Sequence, residues 1–262
     1  MQKRGKMALI TGASSGIGRE FAHIHAANGG DLVIIARNEK KLTALKQELK
    51  NKYQTKAKVI VRDLTEADAP AAIYKICKDS GLRIDYLINN AGFGGMGAFY
   101  QRDMQKDISM IKLNIIALTK LTRLFITDFI SRNQGKILNV SSTASFVPGP
   151  FQAVYYATKA YVTFFSNAVS EELRETNVTV TNLMPGATKT NFGKISGMDK
   201  TAMFENPANA RRVAEAGYNG MLKGKIDVIA GVPFLQKMLL YLVPFVPKKI
   251  RLQIVRKMQE VN

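Results

Sequence analysis

The chain has 262 residues, a length that one α/β domain can occupy, so a single hydrophobic core is expected. Its formal net charge of +18 attracts polyanions, unless it is no more than a solvated basic surface. It contains no zinc-ligand spacing, RNA-binding signature or aromatic-basic strip, so no nucleic-acid partner is expected. Cys77 is the only cysteine and precludes an intramolecular disulfide, which fits a cytoplasmic protein.

Short apolar, β-branched runs alternate with helical patterns along most of the chain. A charged helix extends to Lys50, and the helix over Gly18–Asn28 is expected to end at Gly29 and Gly30. The predicted strands are Ala8–Ile10, Leu32–Ile35, Lys58–Val61, Tyr86–Ile88, Ile137–Val140, Val178–Leu183 and Ile226–Ile229.

This order of elements predicts an α/β fold. Continuous apolar strands are typical of a sheet buried on both faces, and repeated strand–helix units favour parallel strands with right-handed crossovers. Residues 1–262 are therefore expected to form one doubly wound, Rossmann-type domain, with residues 232–262 as a helical C-terminal extension. Such sheets bind ligands at the carboxyl ends of their strands, so the motifs at strand ends are the functional candidates.

A glycine-rich segment lies between the first strand and the first helix. Glycine lets the backbone approach a pyrophosphate closely, and the helix start offers free N–H groups to an anion. The spacing predicts a nucleotide-binding loop, although a plain glycine turn is the alternative. His23 and His25 follow on the helix, and without further ligands no metal role is expected for them. The cofactor candidates in this loop are Gly12, Ser14, Ser15, Gly16, Ile17 and Gly18.

The end of the second strand bears on the choice of cofactor. A fold that prefers NAD usually carries an acidic residue here for the ribose hydroxyl, and Ala36 cannot fill that role. Arg37 can pair with a 2′-phosphate instead, unless it is only a surface arginine. The sequence therefore predicts NADP(H).

A tyrosine and a lysine share one face of a later helix. Tyr155 and Lys159 are four residues apart, and a nearby ammonium favours the phenolate. The pair therefore predicts general acid–base chemistry on an alcohol or carbonyl, with the pKa of Tyr155 below its usual value. Tyr156 is expected to pack elsewhere.

Further polar residues lie at strand ends and within a helix. Ser141 and Ser142 close a strand, where a hydroxyl can either stabilise an oxyanion or cap the next turn. Asn114 lies among apolar neighbours, so it needs a bonding partner unless it is on the helix surface. Other strand ends carry the candidates Asp63, Leu64, Asn90, Ala91, Gly92, Pro185, Gly186, Thr188 and Thr190.

Together these motifs resemble the short-chain dehydrogenase/reductase family over roughly residues 6–190. The resemblance implies that Tyr155 transfers the proton, Lys159 holds the nicotinamide ribose and Ser142 orients the carbonyl. It also implies that Asn114 holds a relay water. The glycine loop would bind the cofactor phosphates, and Asp63 the adenine. Asn90, Ala91 and Gly92 would line a ribose, and residues 185–190 the nicotinamide end.

The C-terminal segment departs from many members of that family. Apolar residues 234–246 precede a run of basic residues, which puts the family's usual tetramer in doubt and leaves a homodimer as the expectation. This tail is too short and interrupted to span a bilayer. It is expected to fold over the substrate side as a lid, with a dimer interface and an anionic membrane surface as the alternatives.

The leading hypothesis is therefore an NADP(H)-dependent carbonyl reductase or alcohol dehydrogenase acting on a lipophilic small molecule. Two other classes remain open. One is an NADP(H)-binding regulatory protein without turnover. The other is a membrane-surface adaptor, which depends on the charge alone.

Overall fold

The computed structural model describes residues 5–199, 201 and 204–260. Seven parallel strands form one sheet in the order β3-β2-β1-β4-β5-β6-β7, as expected for a doubly wound fold. Each predicted strand is present, with bounds that differ by at most a few residues. The strands are β1 Met7–Thr11, β2 Asp31–Ala36, β3 Ala57–Val61, β4 Tyr86–Asn89, β5 Gly135–Val140, β6 Val178–Pro185 and β7 Asp227–Ala230.

Helices cover both faces of the sheet. The strand residues alternate between the two: Ala8 and Ile10 of β1 pack into one apolar cluster, and Leu9 packs into the other. This explains the continuous apolar runs, because neither side of a strand faces water. The helices are α1 Gly16–Ala27, α2 Glu39–Tyr53, α3 Ala69–Asp79, α4 Met104–Ile111, α5 Leu118–Ser131, α6 Ala153–Glu172, α7 Phe192–Ser196, α8 Ala210–Leu222, α9 Phe234–Leu242 and α10 Lys248–Gln259.

The first helix ends where the sequence indicated. Asn28 is the C-cap residue of the helix, and Gly29 follows in the left-handed region at φ 76°. His25 on this helix is buried, and its Nδ1 lies 2.8 Å from the hydroxyl of Tyr218. Burial lowers the pKa of His25, so it packs as a neutral core residue.

The strand order reverses between β1 and β4, because the chain crosses from one side of β1 to the other. Parallel sheets open a crevice at the carboxyl ends of strands where the order reverses. The glycine-rich segment follows β1 and residues 90–92 follow β4, so the fold places both at this crevice. Within the described residues, no helix is both long and apolar enough to cross a membrane.

Candidate active site

A cleft of about 940 Å³ opens at the carboxyl ends of the strands. A smaller depression of about 290 Å³ lies near the amino end of β4, where Lys78 and Asp128 pair with each other, and it carries no catalytic group. Of the predicted site residues, only Gly18 and Asn114 do not line the large cleft. Those that do are Gly12, Ser14, Ser15, Gly16, Ile17, Arg37, Asp63, Leu64, Asn90, Ala91, Gly92, Ser142, Tyr155, Lys159, Pro185, Gly186, Thr188 and Thr190.

The phosphate-loop candidate has a backbone that only small residues permit. Gly12 and Gly16 lie in the left-handed region at φ 67° and 55°. Gly18 does not line the cleft, but it packs against the loop, and a Cβ there would come within 2.4 Å of the Gly12 carbonyl oxygen. The glycines therefore allow the loop to fold tightly at the start of α1, where backbone N–H groups remain available to an anion.

Thr11 and Asn90 hold this loop against the end of β4. The side-chain amide of Asn90 donates to the Thr11 carbonyl at 2.9 Å, and the Thr11 hydroxyl accepts from the backbone N–H groups of Asn90 and Ala91 at 3.0 Å each. Asn90 was expected to line a ribose. It does line the cleft, but its amide also bonds the loop backbone. Thr11 has no role in the sequence interpretation, since only the fold brings it against residues 90 and 91.

Arg37 and Asp63 face each other across the ends of β2 and β3. The Arg37 guanidinium is 3.5 Å from the Asp63 carboxylate and is largely exposed. Burial opposes ionisation of Asp63, but hydrogen bonds from Thr65 and the charge of Arg37 outweigh it, and the pKa falls below its usual value. Two further basic residues that the sequence interpretation missed, Lys41 and Arg62, line the same end of the cleft.

Tyr155 and Lys159 lie on one face of α6 at the floor of the cleft, and both are buried. The Lys159 Nζ is 5.8 Å from the centre of the Tyr155 ring and donates to the Val140 carbonyl at 2.9 Å. Burial lowers the pKa of Lys159 to about 8. The predicted pairing on one helix face is therefore present.

The expected lowering of the tyrosine pKa is wrong. Burial raises the pKa of Tyr155 to about 12, and the hydrogen bond with Ser142 offsets this only in part. A nearby ammonium favours the phenolate, but the removal of the phenolate from water is the larger effect here. At neutral pH the Tyr155 hydroxyl is therefore protonated and able to donate.

The two serines after β5 have different surroundings. The Ser141 hydroxyl is buried and donates to the Lys159 carbonyl at 2.8 Å, so it fixes α6 against the strand. Ser142 lines the cleft and hydrogen-bonds Tyr155. Its Oγ also accepts from the Ala144 N–H at 3.1 Å, so Ser142 both caps the following turn and lines the cleft. The choice of Ser142 over Ser141 agrees with this arrangement.

Asn114 lies in a π-helical segment, Lys112–Ala117, between α4 and α5. It is buried, so a surface asparagine is ruled out. Its amide nitrogen donates to the Phe93 carbonyl and to the Thr158 hydroxyl, both at 3.0 Å, and its oxygen accepts from the Phe93 N–H at 3.2 Å. Asn114 thereby joins the segment after β4 to α6, and the extra residue of the π-helix presents it there.

The segment from Gly92 to Met96 forms the wall of the cleft beyond Tyr155. Arg102 clamps this wall, because its Nη1 donates to the Met96 carbonyl at 2.8 Å. The same guanidinium pairs with the buried carboxylate of Asp107 at 2.6 Å. Gly95 passes directly over the guanidinium, where a Cβ would lie 2.3 Å from a nitrogen. Sequence inspection gave no signal for this clamp.

The C-terminal tail is not the lid that was expected. Among the described residues, none from 232 onward lines the cleft, and α9 contains no buried residue. Instead α10 packs beside the active-site helix, with Val255 in an apolar cluster that includes Tyr155 and Tyr156. Phe192 lines the cleft, with its ring centre 5.5 Å from that of Tyr155, whereas Phe146 and Phe151 do not line it.

Known proteins share this fold and these motifs. Residues 6–200 match the family model for short chain dehydrogenase. The chain is 34% identical over 197 residues to the very-long-chain 3-oxoacyl-CoA reductase of Bos taurus. The aligned region covers 73% of this chain and 62% of that relative. The human protein of the same description is 34% identical over 198 residues, with the same coverage. The chain thus spans about three fifths of the length of these relatives.

Solved structures agree with the family match. A short-chain dehydrogenase from Sphingobium yanoikuyae in complex with NADPH has a TM-score of 0.82 and 30% identity, covering 93% of this chain and 97% of its own. A bulky-bulky ketone specific alcohol dehydrogenase from Comamonas testosteroni has a TM-score of 0.77 and 28% identity, covering 93% and 95%. The chain belongs to the short-chain dehydrogenase family.

Proposed function

We propose that the protein is an NADP(H)-dependent oxidoreductase that interconverts a lipophilic ketone and its secondary alcohol, with the 3-oxoacyl thioesters as substrate class. The observation that carries this proposal is the position of Tyr155, Ser142 and Lys159 at the floor of one cleft that also contains the glycine loop. A nucleotide and a carbonyl compound can therefore occupy adjacent parts of the same site. The substrate class is supported by the relatives named as 3-oxoacyl-CoA reductases and by the ketone-specific neighbour.

The cofactor end of the cleft fits NADP(H). Side chains at Gly12 and Gly18 would collide with the neighbouring backbone, so the loop keeps an open cradle for phosphates. Arg37, Lys41 and Arg62 supply positive charge beside the end of β2, where a 2′-phosphate needs a partner. The neighbour at 30% identity was solved with NADPH, which supports the same choice here.

When bound, the reduced nicotinamide supplies the hydride that goes to the carbonyl carbon. The hydroxyl of Tyr155 donates its proton to the carbonyl oxygen, and its raised pKa keeps that proton in place beforehand. Ser142 hydrogen-bonds the same oxygen and stabilises its developing charge. The Lys159 ammonium then stabilises the tyrosinate electrostatically.

We infer that Asn114 and Lys159 take part in returning a proton to Tyr155. A Cβ on Gly92 would lie 3.0 Å from the Asn114 Oδ1 and 3.5 Å from the Lys159 Nζ, so both atoms border the same small space. The Asn114 oxygen accepts one bond from Phe93 and retains a second lone pair. A water bound between this oxygen and the ammonium would complete the relay.

A substrate panel tests the proposal. NADPH absorbance is followed with the purified chain and three ketones, namely a long-chain 3-oxoacyl thioester, a bulky steroid ketone and a small aliphatic ketone. The proposal predicts NADPH consumption with the highest kcat/KM for the thioester. Tight NADPH binding without consumption on any of the three would instead support a regulatory protein without turnover.

We also propose that the protein is a cytoplasmic homodimer that contacts anionic membranes peripherally. The lone cysteine, Cys77, is free and buried, which suits a reducing compartment. Phe164 on α6 exposes 73% of its surface and gives a second copy an apolar contact. Light scattering on the purified chain tests the dimer.

A further inference from the structure

Helix α9 carries an apolar face that the rest of the chain does not cover. Six of its nine residues are large apolar side chains that are at least half exposed, and no α9 residue belongs to the core. Phe245, just beyond the helix, is 84% exposed. A monomeric soluble protein rarely exposes so many neighbouring apolar groups without a partner. The six α9 residues are Phe234, Leu235, Met238, Leu239, Tyr241 and Leu242.

The spacing of these residues gives the face its shape. Positions i, i+1, i+4, i+5, i+7 and i+8 of an α-helix fall on one broad stripe. Nine residues at 1.5 Å per residue make a helix about 14 Å long, which is less than half the thickness of a hydrocarbon core. The helix therefore suits a position in the plane of an interface, with Phe234, Tyr241 and Phe245 as aromatic residues at its boundary.

Either a second copy of the chain or a membrane surface could cover this face. The charge around the face distinguishes between the two. Residues 232–260 contain six basic side chains and one acidic one, Glu260, which pairs with Arg256. A second copy of the chain, docked through the same face, would bring two such basic segments together, which is unfavourable. An anionic lipid surface complements the charge and accepts the apolar face at the same time. The six basic residues are Lys237, Lys248, Lys249, Arg251, Arg256 and Lys257.

The tail is also fixed to the active-site helix. Gln259 at the end of α10 is fully buried, and its amide donates to the Tyr156 hydroxyl at 2.5 Å. The Arg256 guanidinium lies over the Phe151 ring, 5.2 Å from its centre. Since Tyr156 is adjacent to Tyr155, α10 joins the tail to the helix that carries the proton donor.

We infer that α9 is a docking helix that inserts its apolar face into the surface of an anionic membrane, while the basic residues of α10 contact the lipid headgroups. The inference refines the proposed membrane contact by assigning it to particular residues. It does not require that the reductase proposal be correct. For a lipophilic substrate, this docking would bring the cleft close to the phase in which that substrate concentrates.

Vesicle co-sedimentation of the full chain tests the inference. The vesicles are phosphatidylcholine alone or with about a quarter phosphatidylserine, at low and high salt. Wild type should bind the anionic vesicles at low salt, and binding should weaken at high salt. The double variant Leu235→Gln/Leu239→Gln should lose about tenfold or more in affinity. Met104→Gln, which changes an equally exposed apolar residue on α4, should stay within about twofold of wild type.

A second pair of variants separates specific contact from overall charge. Lys248→Glu/Lys249→Glu should abolish the preference for anionic vesicles, whereas Lys46→Glu/Lys50→Glu on α2 removes the same net charge and should retain most of the binding. Anionic-vesicle binding that is unchanged in the α9 double variant would overturn the inference. The inference would also be overturned if wild type did not bind vesicles and had twice the mass of the α9 double variant by light scattering. The apolar face of α9 would then join two copies of the chain.

Turnover of a small soluble ketone without vesicles provides an independent reading. The α9 double variant should match wild type in this assay, because α9 does not line the cleft. An inactive wild type that still binds vesicles would contradict the reductase proposal alone. An active wild type that does not bind anionic vesicles would contradict the docking inference alone.

Discussion

Lys159 should destabilise the folded protein that it serves. Its side chain is buried, and burial lowers its pKa from 10.5 to about 8. Between these two values the unfolded chain binds a proton at this lysine and the folded chain does not. The free energy of unfolding should therefore rise with pH across this window, by at most about 3 kcal/mol. Below pH 8 the folded and the unfolded chain both bind the proton, and the free energy of unfolding is reduced by the full cost of burying the ammonium group.

The variant Lys159→Met isolates this effect. Wild type and variant share every other titrating group, so the difference between their free energies of unfolding should change by up to about 3 kcal/mol from pH 8 to 10.5 in favour of wild type. Near neutral pH the loss of the bond to the Val140 carbonyl partly offsets the gain from removing a buried charge. Urea unfolding at closely spaced pH values measures the difference.

A surface substitution serves as the control for Lys159→Met. Lys46→Met removes one positive charge from the exposed side of α2 and should change the free energy of unfolding by less than about 0.5 kcal/mol at each pH. A difference between wild type and Lys159→Met that stays constant from pH 8 to 10.5 would show that folding does not lower the pKa of Lys159. In turnover assays the same lysine should make kcat/KM for NADPH fall as pH rises through about 8, since the cation is the form that the mechanism uses.

Three further substitutions test other parts of the site. Arg37→Asp should weaken NADPH binding by about tenfold or more and leave NADH nearly unaffected, as read by fluorescence titration, because it replaces a partner of the 2′-phosphate with a like charge. Gly18→Ala should reduce NADPH affinity by at least about tenfold, since its Cβ would lie 2.4 Å from a backbone oxygen of the phosphate loop. Asp107→Asn should release the Arg102 clamp and raise KM for a bulky ketone by about tenfold in steady-state assays, with kcat and NADPH affinity little changed. Equal effects on bulky and small ketones would argue against a clamp on the substrate wall.

The sequence predicted the sheet and the cleft motifs because both depend on local patterns. Apolar runs gave all seven strands, and residues at their carboxyl ends meet in one crevice once the topology is known. The glycines of the loop were recognisable because their positive φ angles are difficult for other residues. A local sequence pattern was sufficient for prediction wherever a backbone conformation requires a particular type of residue.

Contacts between distant segments could not be predicted in the same way. The Thr11–Asn90 link, the Asn114–Thr158 bond and the burial of Tyr155 depend on packing that sequence spacing does not encode. The error about the tyrosine pKa has this origin, because desolvation is a property of the surroundings and not of the helix face. The tail was misplaced for a related reason: its composition fits a lid, an interface or a membrane contact equally well.

Tyr155→Phe tests whether Tyr155 donates the proton in NADPH-dependent carbonyl reduction. The change removes one hydroxyl from the floor of the cleft and retains the ring that packs against Phe192. Tyr161→Phe removes a hydroxyl six residues further along the same helix and serves as the matched control. With a ketone that wild type reduces, Tyr155→Phe should lower kcat by about a hundredfold or more, while its NADPH affinity and the activity of the control variant remain near wild type. A kcat within a few-fold of wild type for Tyr155→Phe would contradict this role of Tyr155.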